Sequence, residues 1–563
     1  MKHTSKFLAM LVALCMLLTV GAFASGGMGA PPGGGGSREP DSYDAVLDIT
    51  EDTALDGVAM ESVNGDENII HVYDGATATV TNSSFSNGGV GSGGDAASFY
   101  GVGSPLFVSD GELYVDDVTI DSTVSGGAGV FAYKDGVAYV QNADISTTEG
   151  SAGGLHVAGG GTLYAWDCNV ETQAGMAAAA IRSDRGGGLM VIDGGHYVTN
   201  GGTGAVYVTA DISVHDAYLY TGGSEAIAIE GKNTIRLFDC QLEGSMIPSA
   251  LNDNRVWNII VYQSMSGDAD VGTSEYDMIG GQLTTHAGPI VYNTNTSSYI
   301  TFKDVDILRG DDTTYMLQVT GNASSRTWGR AGANGANCVF SAYDQVLPGD
   351  VVYDTISNLD LYLLEGSTLE GAILCDDSLN GGNAGDGIAN VTIDAGSKWV
   401  VTGDSVITGA LSCVGTIENA KIVDASGSLL YGDGAYTVTV GALSADADVS
   451  GAGAVPVWED YAVENPFSDG ADASGEPSGE ASGAPAAGGD VSEDAYKEYL
   501  HQWLIAEDEV NDTMTEDIRE NEFMPLIWAG DYQTFPAEML WNGMLENGCP
   551  MTYDEFVAAG GVY

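Results

Sequence analysis

The sequence predicts an all-β chain, a right-handed parallel β-helix solenoid, followed by a small C-terminal α-helical module. Three observations predict it. One short phrase, an apolar step, an Asp or Asn marker and a second apolar step, recurs six times between Tyr114 and Leu242. The residues around each marker alternate apolar and polar with period two, as a half-buried strand requires. Gly-Gly, Gly-Asp and Asn-containing turns separate these stretches.

The phrase reads Val115-Asp116-Asp117-Val118-Thr119-Ile120, Val140-Gln141-Asn142-Ala143-Asp144-Ile145 and Ala165-Trp166-Asp167-Cys168-Asn169-Val170. It returns as Val191-Ile192-Asp193-Gly194, Val214-His215-Asp216-Ala217-Tyr218-Leu219 and Leu237-Phe238-Asp239-Cys240-Gln241-Leu242. The markers Asp117, Asn142, Asp167, Asp193, Asp216 and Asp239 lie 25, 25, 26, 23 and 23 residues apart. One such unit cannot bury its apolar face alone. Stacking places Val118, Ala143, Cys168, Ala217 and Cys240 in one buried column, and Ile120, Ile145, Val170, Leu219 and Leu242 in another. A leucine-rich repeat is excluded because its leucine-asparagine phrase is absent. Antiparallel sandwiches do not predict a phase-locked column. Earlier copies stand at Asp56–Met60 and Thr79–Phe85, and later, less regular ones at Tyr262–Met265, Gly280–Leu283, Lys303–Ile307, Leu359–Leu363 and Val391–Asp394.

In chain order, residues 1–24 read as an export signal. Lys2 and Lys6 precede an apolar run from Phe7 to Val20, and Ala22-Phe23-Ala24 offers small residues for cleavage before Ser25. That run is too short for a comfortable membrane span, and no later stretch is a candidate. Residues 25–44 are a Gly/Pro-rich linker. Residues 45–461 form the solenoid, with the glycine-rich insertion Gly88–Gly103 expected as a loop leaving it. Residues 462–490, rich in Gly, Ser, Pro, Ala and acids, read as a second linker. From 491 to 563 the period changes to 3.6, with Ala495, Tyr496, Tyr499, Leu500, Trp503 and Leu504 on one helical face and a capping box at Thr552–Glu555. The reading is therefore of a secreted or cell-surface protein.

Seventy-nine acids against 17 Lys and Arg give a formal charge of −62. This field repels nucleic acid and anionic lipid. Most of these acids are expected to be a solvated, repulsive surface, while carboxylate clusters suit calcium. The histidines offer no metal spacing. Cys168 and Cys240 share a phase but sit three units, roughly 14 Å, apart, too far for a disulfide. Cys375 and Cys413 are 38 residues apart, a spacing that leaves stacking and pairing open.

Three stretches carry a family resemblance: Ala180–Gly188, Ser224–Asn233 and Tyr262–Ala269. The chain from about Ala45 to Val457 resembles the secreted right-handed β-helix proteins of gut-type Gram-positive bacteria. The phrase Gly396–Ser405, with Trp399, is similar to the end coil of pertactin-like adhesin passengers. The resemblance implies an exported, adhesin-like solenoid.

Cations are scarce, so their clustering is informative. With Ala179 and Ile181 inward, Arg182 points out. By the same phase Glu230 points out two units later, about 9.6 Å along the axis. One lateral surface thus gathers Arg182, Asp184, Arg185, Glu230, Lys232, Tyr262, Gln263 and Asp268. Read functionally, it is a groove for a glycan or charged substrate, with Tyr262 or Tyr292 as a stacking surface. Read structurally, it is an ion-pair ladder.

The leading expectation is a non-catalytic, glycan-binding or adhesin-like protein. The alternative is a calcium-dependent polysaccharide lyase with Arg182, Arg185 or Lys232 as base. The Arg-x-Pro-x-x-Arg pattern of pectate lyases is absent. Of the polygalacturonase motifs only Asp376-Asp377 stands, and Asn293-Thr294-Asn295 has Asn where Asp belongs. Arg309-Gly310-Asp311 matches the integrin tripeptide and is expected in a turn.

Overall fold

The computed structural model describes residues 39–173, 178–250, 254–264, 266–322 and 328–467. The residues read as an export signal, most of the first linker, residues 468–490 of the second and residues 491–563, expected to be helical, lie outside them. The described chain is mostly β. Thirty-five strands join one sheet and four more a second. Every ladder is parallel except a hairpin between Ala420–Asp424 and Leu429–Tyr431 near the C-terminal end.

The register repeats every third strand. Leu155–Ala158, Gly161–Trp166 and Asn169–Thr172 pair with Ile181–Ser183, Gly188–Asp193 and His196–Thr199 respectively. Those pair in turn with Val206–Val208, Asp211–His215 and Tyr218–Thr221. Each set of three strands is here a rung, and the three strand positions define a first, second and third face. The two apolar columns read from the phrase are the core. Val118 faces Ala143, and Ile120 faces Ile145, in register, and all four are buried. Val170, Tyr197, Leu219 and Leu242 continue the second column.

The marker column builds the corner between the second and third faces. Asp117, Asn142, Asp167, Asp216 and Asp239 have φ of 54°, 49°, 48°, 46° and 52°. Asp and Asn are the side-chain-bearing residues that enter this left-handed region most cheaply. Asp193 does not belong to the column. It pairs with Trp166 and His215 inside a strand, and Gly194, at φ 75°, takes the corner. The hydrogen bonds run through the bend: the amides of Asp167, Asp216 and Asp239 donate to the next rung at 3.0, 2.9 and 2.8 Å. The column extends to Gly57, Asn82, Gly280, Asp304, Asp344 and Glu365, all with positive φ. Where Gly281 follows Gly280, a Cβ would stand 2.1 Å from the Cys240 carbonyl, so only glycine fits. We expect Asp216→Val to destabilise the fold by about 1–2 kcal/mol and Asp216→Gly to stay within about 0.5 kcal/mol, read by urea denaturation.

The five described cysteines are free. Cys168 and Cys240 are core residues, and burial pushes their thiols up to about 12. Cys375 and Cys413 do not pair with each other. The strands end at Ser444, not near residue 461. Beyond them, Trp458, Tyr461, Asn465 and Phe467 pack on the second face, so the residues expected to open a linker at 462 are docked. At the other end Tyr43, read as linker, packs on Phe107 with ring centroids 4.7 Å apart.

Candidate functional site

The eight residues singled out by the sequence do gather on the outer side of the first face, but they do not line an open groove. The insertion expected as a loop carries a short helix, α1 (Gly94–Tyr100), with Ala97, Ser98 and Phe99 buried. Arg182 Nη2 donates to Ser98 Oγ at 2.9 Å and to Asp184 Oδ2 at 2.7 Å. Arg182 is 4% and Asp184 3% exposed. Burial pushes the Asp184 carboxyl up to about 6, against the pull of the Arg182 guanidinium. On the preceding rung His156, which registers with Arg182, is fully buried. Desolvation, and then the Arg182 charge, hold its imidazole neutral.

Arg185 lies 4.1 Å over the Phe99 ring and donates to Asp268 Oδ1 at 2.7 Å. Glu230 is also buried. It accepts from Tyr207 Oη at 2.8 Å, Tyr262 Oη at 3.1 Å, Ser266 Oγ at 3.2 Å and Ser264 Oγ. Lys232 pairs with Asp270 at 2.8 Å. Gln263 is buried near Ala269.

Two expectations are therefore corrected. Arg182 and Glu230 do not share a column: Arg182 registers with Tyr207 and then Ala228, whereas Glu230 stands two residues further along and registers with Tyr262. Nor are Tyr262 and Tyr292 exposed stacking surfaces. Tyr262 packs on Trp328 at 4.6 Å and Tyr292 on Trp257 at 5.6 Å, in a buried aromatic cluster. Pointing away from the core gave exposure in the sequence reading because a period-two pattern does not show what an insertion covers. In the outward column Phe107, Phe131, His156, Arg182, Ala228, Ile260 and Tyr292 are buried and Tyr207 is half-buried. Its apolar character was the available signal for a second layer.

Other motifs make contacts within the fold. Asp376 caps the 3-10 turn Asp377–Asn380 by accepting from the Ser378 amide at 2.9 Å. Asp377 accepts from the Thr355 amide and hydroxyl, both at 2.8 Å. Asn293 is buried and donates to the Val261 carbonyl. Arg309-Gly310-Asp311 lies within the strand Asp306–Thr313, not in a turn, and Arg309 Nη2 donates to the Thr313 carbonyl at 3.0 Å. Among the described residues no group of three or more His, Cys, Asp or Glu is arranged to hold a metal ion.

The third face differs from the other two. Its outward side chains from Ser84 to Leu308 are exposed or half-exposed, and none is Lys or Arg. At its centre the Tyr218 and Tyr220 rings lie 6.4 Å apart and 6° from parallel. His196 registers with Tyr218 from one side and Gln241 from the other. Glu243 registers with Tyr220 and is held by His286 Nε2 at 2.8 Å. Desolvation and the Glu243 carboxylate raise both phenols above their ordinary value, so both hydroxyls keep their protons. The sequence hid this patch because its members lie in three rungs and sit in ordinary strand alternation.

No known protein family, characterised protein or solved structure matches the chain. Among the described residues no helix is long and apolar enough to cross a membrane.

Proposed function

We propose that this is an exported right-handed β-helix protein of the cell surface or extracellular space, non-catalytic, which binds neutral glycans through its third face. The observation that carries the reading is the uncovered third face, with Tyr218 and Tyr220 beside His196, Gln241 and Glu243. Parallel tyrosine rings offer apolar stacking area, and amides and carboxylates offer hydrogen-bond partners for hydroxyls. The stretch of that face from Ser84 to Leu308, acidic and without Lys or Arg, disfavours polyanionic ligands. In this reading calcium serves as a diffuse counter-ion for the −62 charge. The lyase alternative loses support from the first face, since Arg182 is enclosed, Arg185 is engaged by Asp268 and Phe99, and Lys232 is paired with Asp270.

A glycan array, followed by titration of the strongest hit, tests the reading. Tyr218→Ala with Tyr220→Ala is expected to weaken binding by at least about tenfold, the worth of one or two aromatic contacts. Stability should stay within about 0.5 kcal/mol, as for surface positions. Binding that survives in the double variant sinks the assignment of the face. Release of unsaturated product from a uronate polysaccharide with calcium would sink the non-catalytic reading.

A further inference from the structure

After Ser444 the chain turns back along the second face towards its N-terminal rungs. The Tyr343 hydroxyl donates to the Gly453 carbonyl at 2.6 Å, and the Gly453 amide to Ser341 Oγ at 2.8 Å. Trp458 stacks on His215 at 4.7 Å and 10°, and packs on Phe238 at 5.7 Å. Tyr461 lies under the Arg236 guanidinium at 4.4 Å. Phe467, the last described residue, lies against Tyr114 and Trp166, 6.2 and 6.4 Å away. Taken together, these contacts run from the later rungs to the earlier ones, as a strap laid over the face.

The strap covers a residue that suits neither a core nor a surface. Asp277 registers between Arg236 and Thr301 on the outer side of the second face. Gly453 approaches Thr301 and Tyr461 meets Arg236, so the strap between them passes over the rung of Asp277. Asp277 is fully buried, and neither carboxyl oxygen makes a well-formed hydrogen bond. Several groups face it. Glu275 comes from its own strand, Arg236 from the preceding rung, Thr301 from the following rung and Tyr461 from the strap, with Tyr276 on the core side. Arg236 is already shared by Asp211 at 2.5 Å and Glu275 at 3.8 Å.

We propose that residues 445–467 are a displaceable strap over an aromatic contact face, and that closing it requires a proton on Asp277. An uncharged carboxyl tolerates the site, whereas an ionised one needs the water that the strap excludes. Burial first, and Glu275 second, hold the Asp277 proton well beyond the ordinary carboxylate range. The docked state has the raised pKa, so its advantage is complete below the undocked value, about 4, and is lost as pH rises through the docked value. Opening bares Trp166, His215 and Phe238, a row of rings on consecutive or near-consecutive rungs.

Hydrogen exchange of residues 445–467 in the full chain, corrected for intrinsic rates, tests this between about pH 4 and 8. The opening constant of the native protein should rise about tenfold per pH unit until the docked form itself ionises. In Asp277→Asn, and in Asp277→Leu should the amide disturb folding, it should stay flat with the strap protected at the alkaline end. Trp458→Ala should lose protection at every pH. A native slope that persists in both Asp277 variants, or that disappears in His215→Gln instead, overturns the proposal. So does a Trp458→Ala strap as protected as the native one.

Discussion

Arg182→Ala is expected to destabilise the protein by about 3–5 kcal/mol, the cost of leaving one member of a buried ion pair alone. Asp184 would keep its burial and lose its cation, and Ser98 would lose the donor that ties α1 to the first face. The loss has a pH signature. Asp184 already sits at about 6 because desolvation outweighs Arg182. Without Arg182 it rises further. A raised carboxyl contributes stability that is complete below the ordinary value, about 4, and is lost as pH rises through the folded value. Urea denaturation should therefore show a larger deficit at pH 8 than at pH 5. Arg182→Met with Asp184→Leu should recover most of it, since apolar residues of similar volume commonly replace such a pair without penalty. If Arg182→Ala left stability unchanged but abolished glycan binding, the first face would be a ligand site and its reading as a closed network would fail.

The contrast between Arg182 and Tyr218 shows how far sequence patterning reaches. Both project outward from strands, and period two places both correctly. Alternation says which side of a strand a residue takes; it does not say what lies above that side. Arg182 is covered by a helix 84 residues earlier in the chain, a tertiary contact without local signature. The Asp and Asn corner column was legible because left-handed backbone restricts residue type directly. Asp193 was misplaced within it because Gly194 satisfies the same restriction without a side chain. The strap was unreadable for a related reason. Residues 445–467 have the Gly, Ala, Val and acid composition of a linker, and their order comes from single aromatic contacts with distant rungs, at His215, Phe238 and Trp166.

Trp399→Ala is the second large effect, and its reach along the chain matters more than its size. Trp399 is the bulkiest fully buried side chain among the described residues and stands between Leu369 and Ile417 on the inner side of the third face. Its indole N–H donates to the Gly371 carbonyl at 2.9 Å. Truncation removes the ring and leaves a cavity, worth about 3–5 kcal/mol, and leaves that buried carbonyl without its donor. In a stacked array each rung is stabilised by its neighbours, so damage spreads from the nearest end. Here that end is weak: the closing hairpin exposes Leu429 and Tyr431, at 64% and 63%. Hydrogen exchange should rise in the rungs from about Val346 to Ser444 while those from Leu106 to Gly244 keep their slow amides. The strap breaks this gradient. It is anchored in the chain at Ser444 and docks on early rungs, so fraying at one end loosens its hold near the other. Protection of Trp458 and Phe467 should therefore fall together with the rungs around Trp399, although His215 and Trp166 beneath them belong to intact rungs. Strap protection that survives Trp399→Ala would mean that the aromatic contacts hold it without help from the C-terminal rungs.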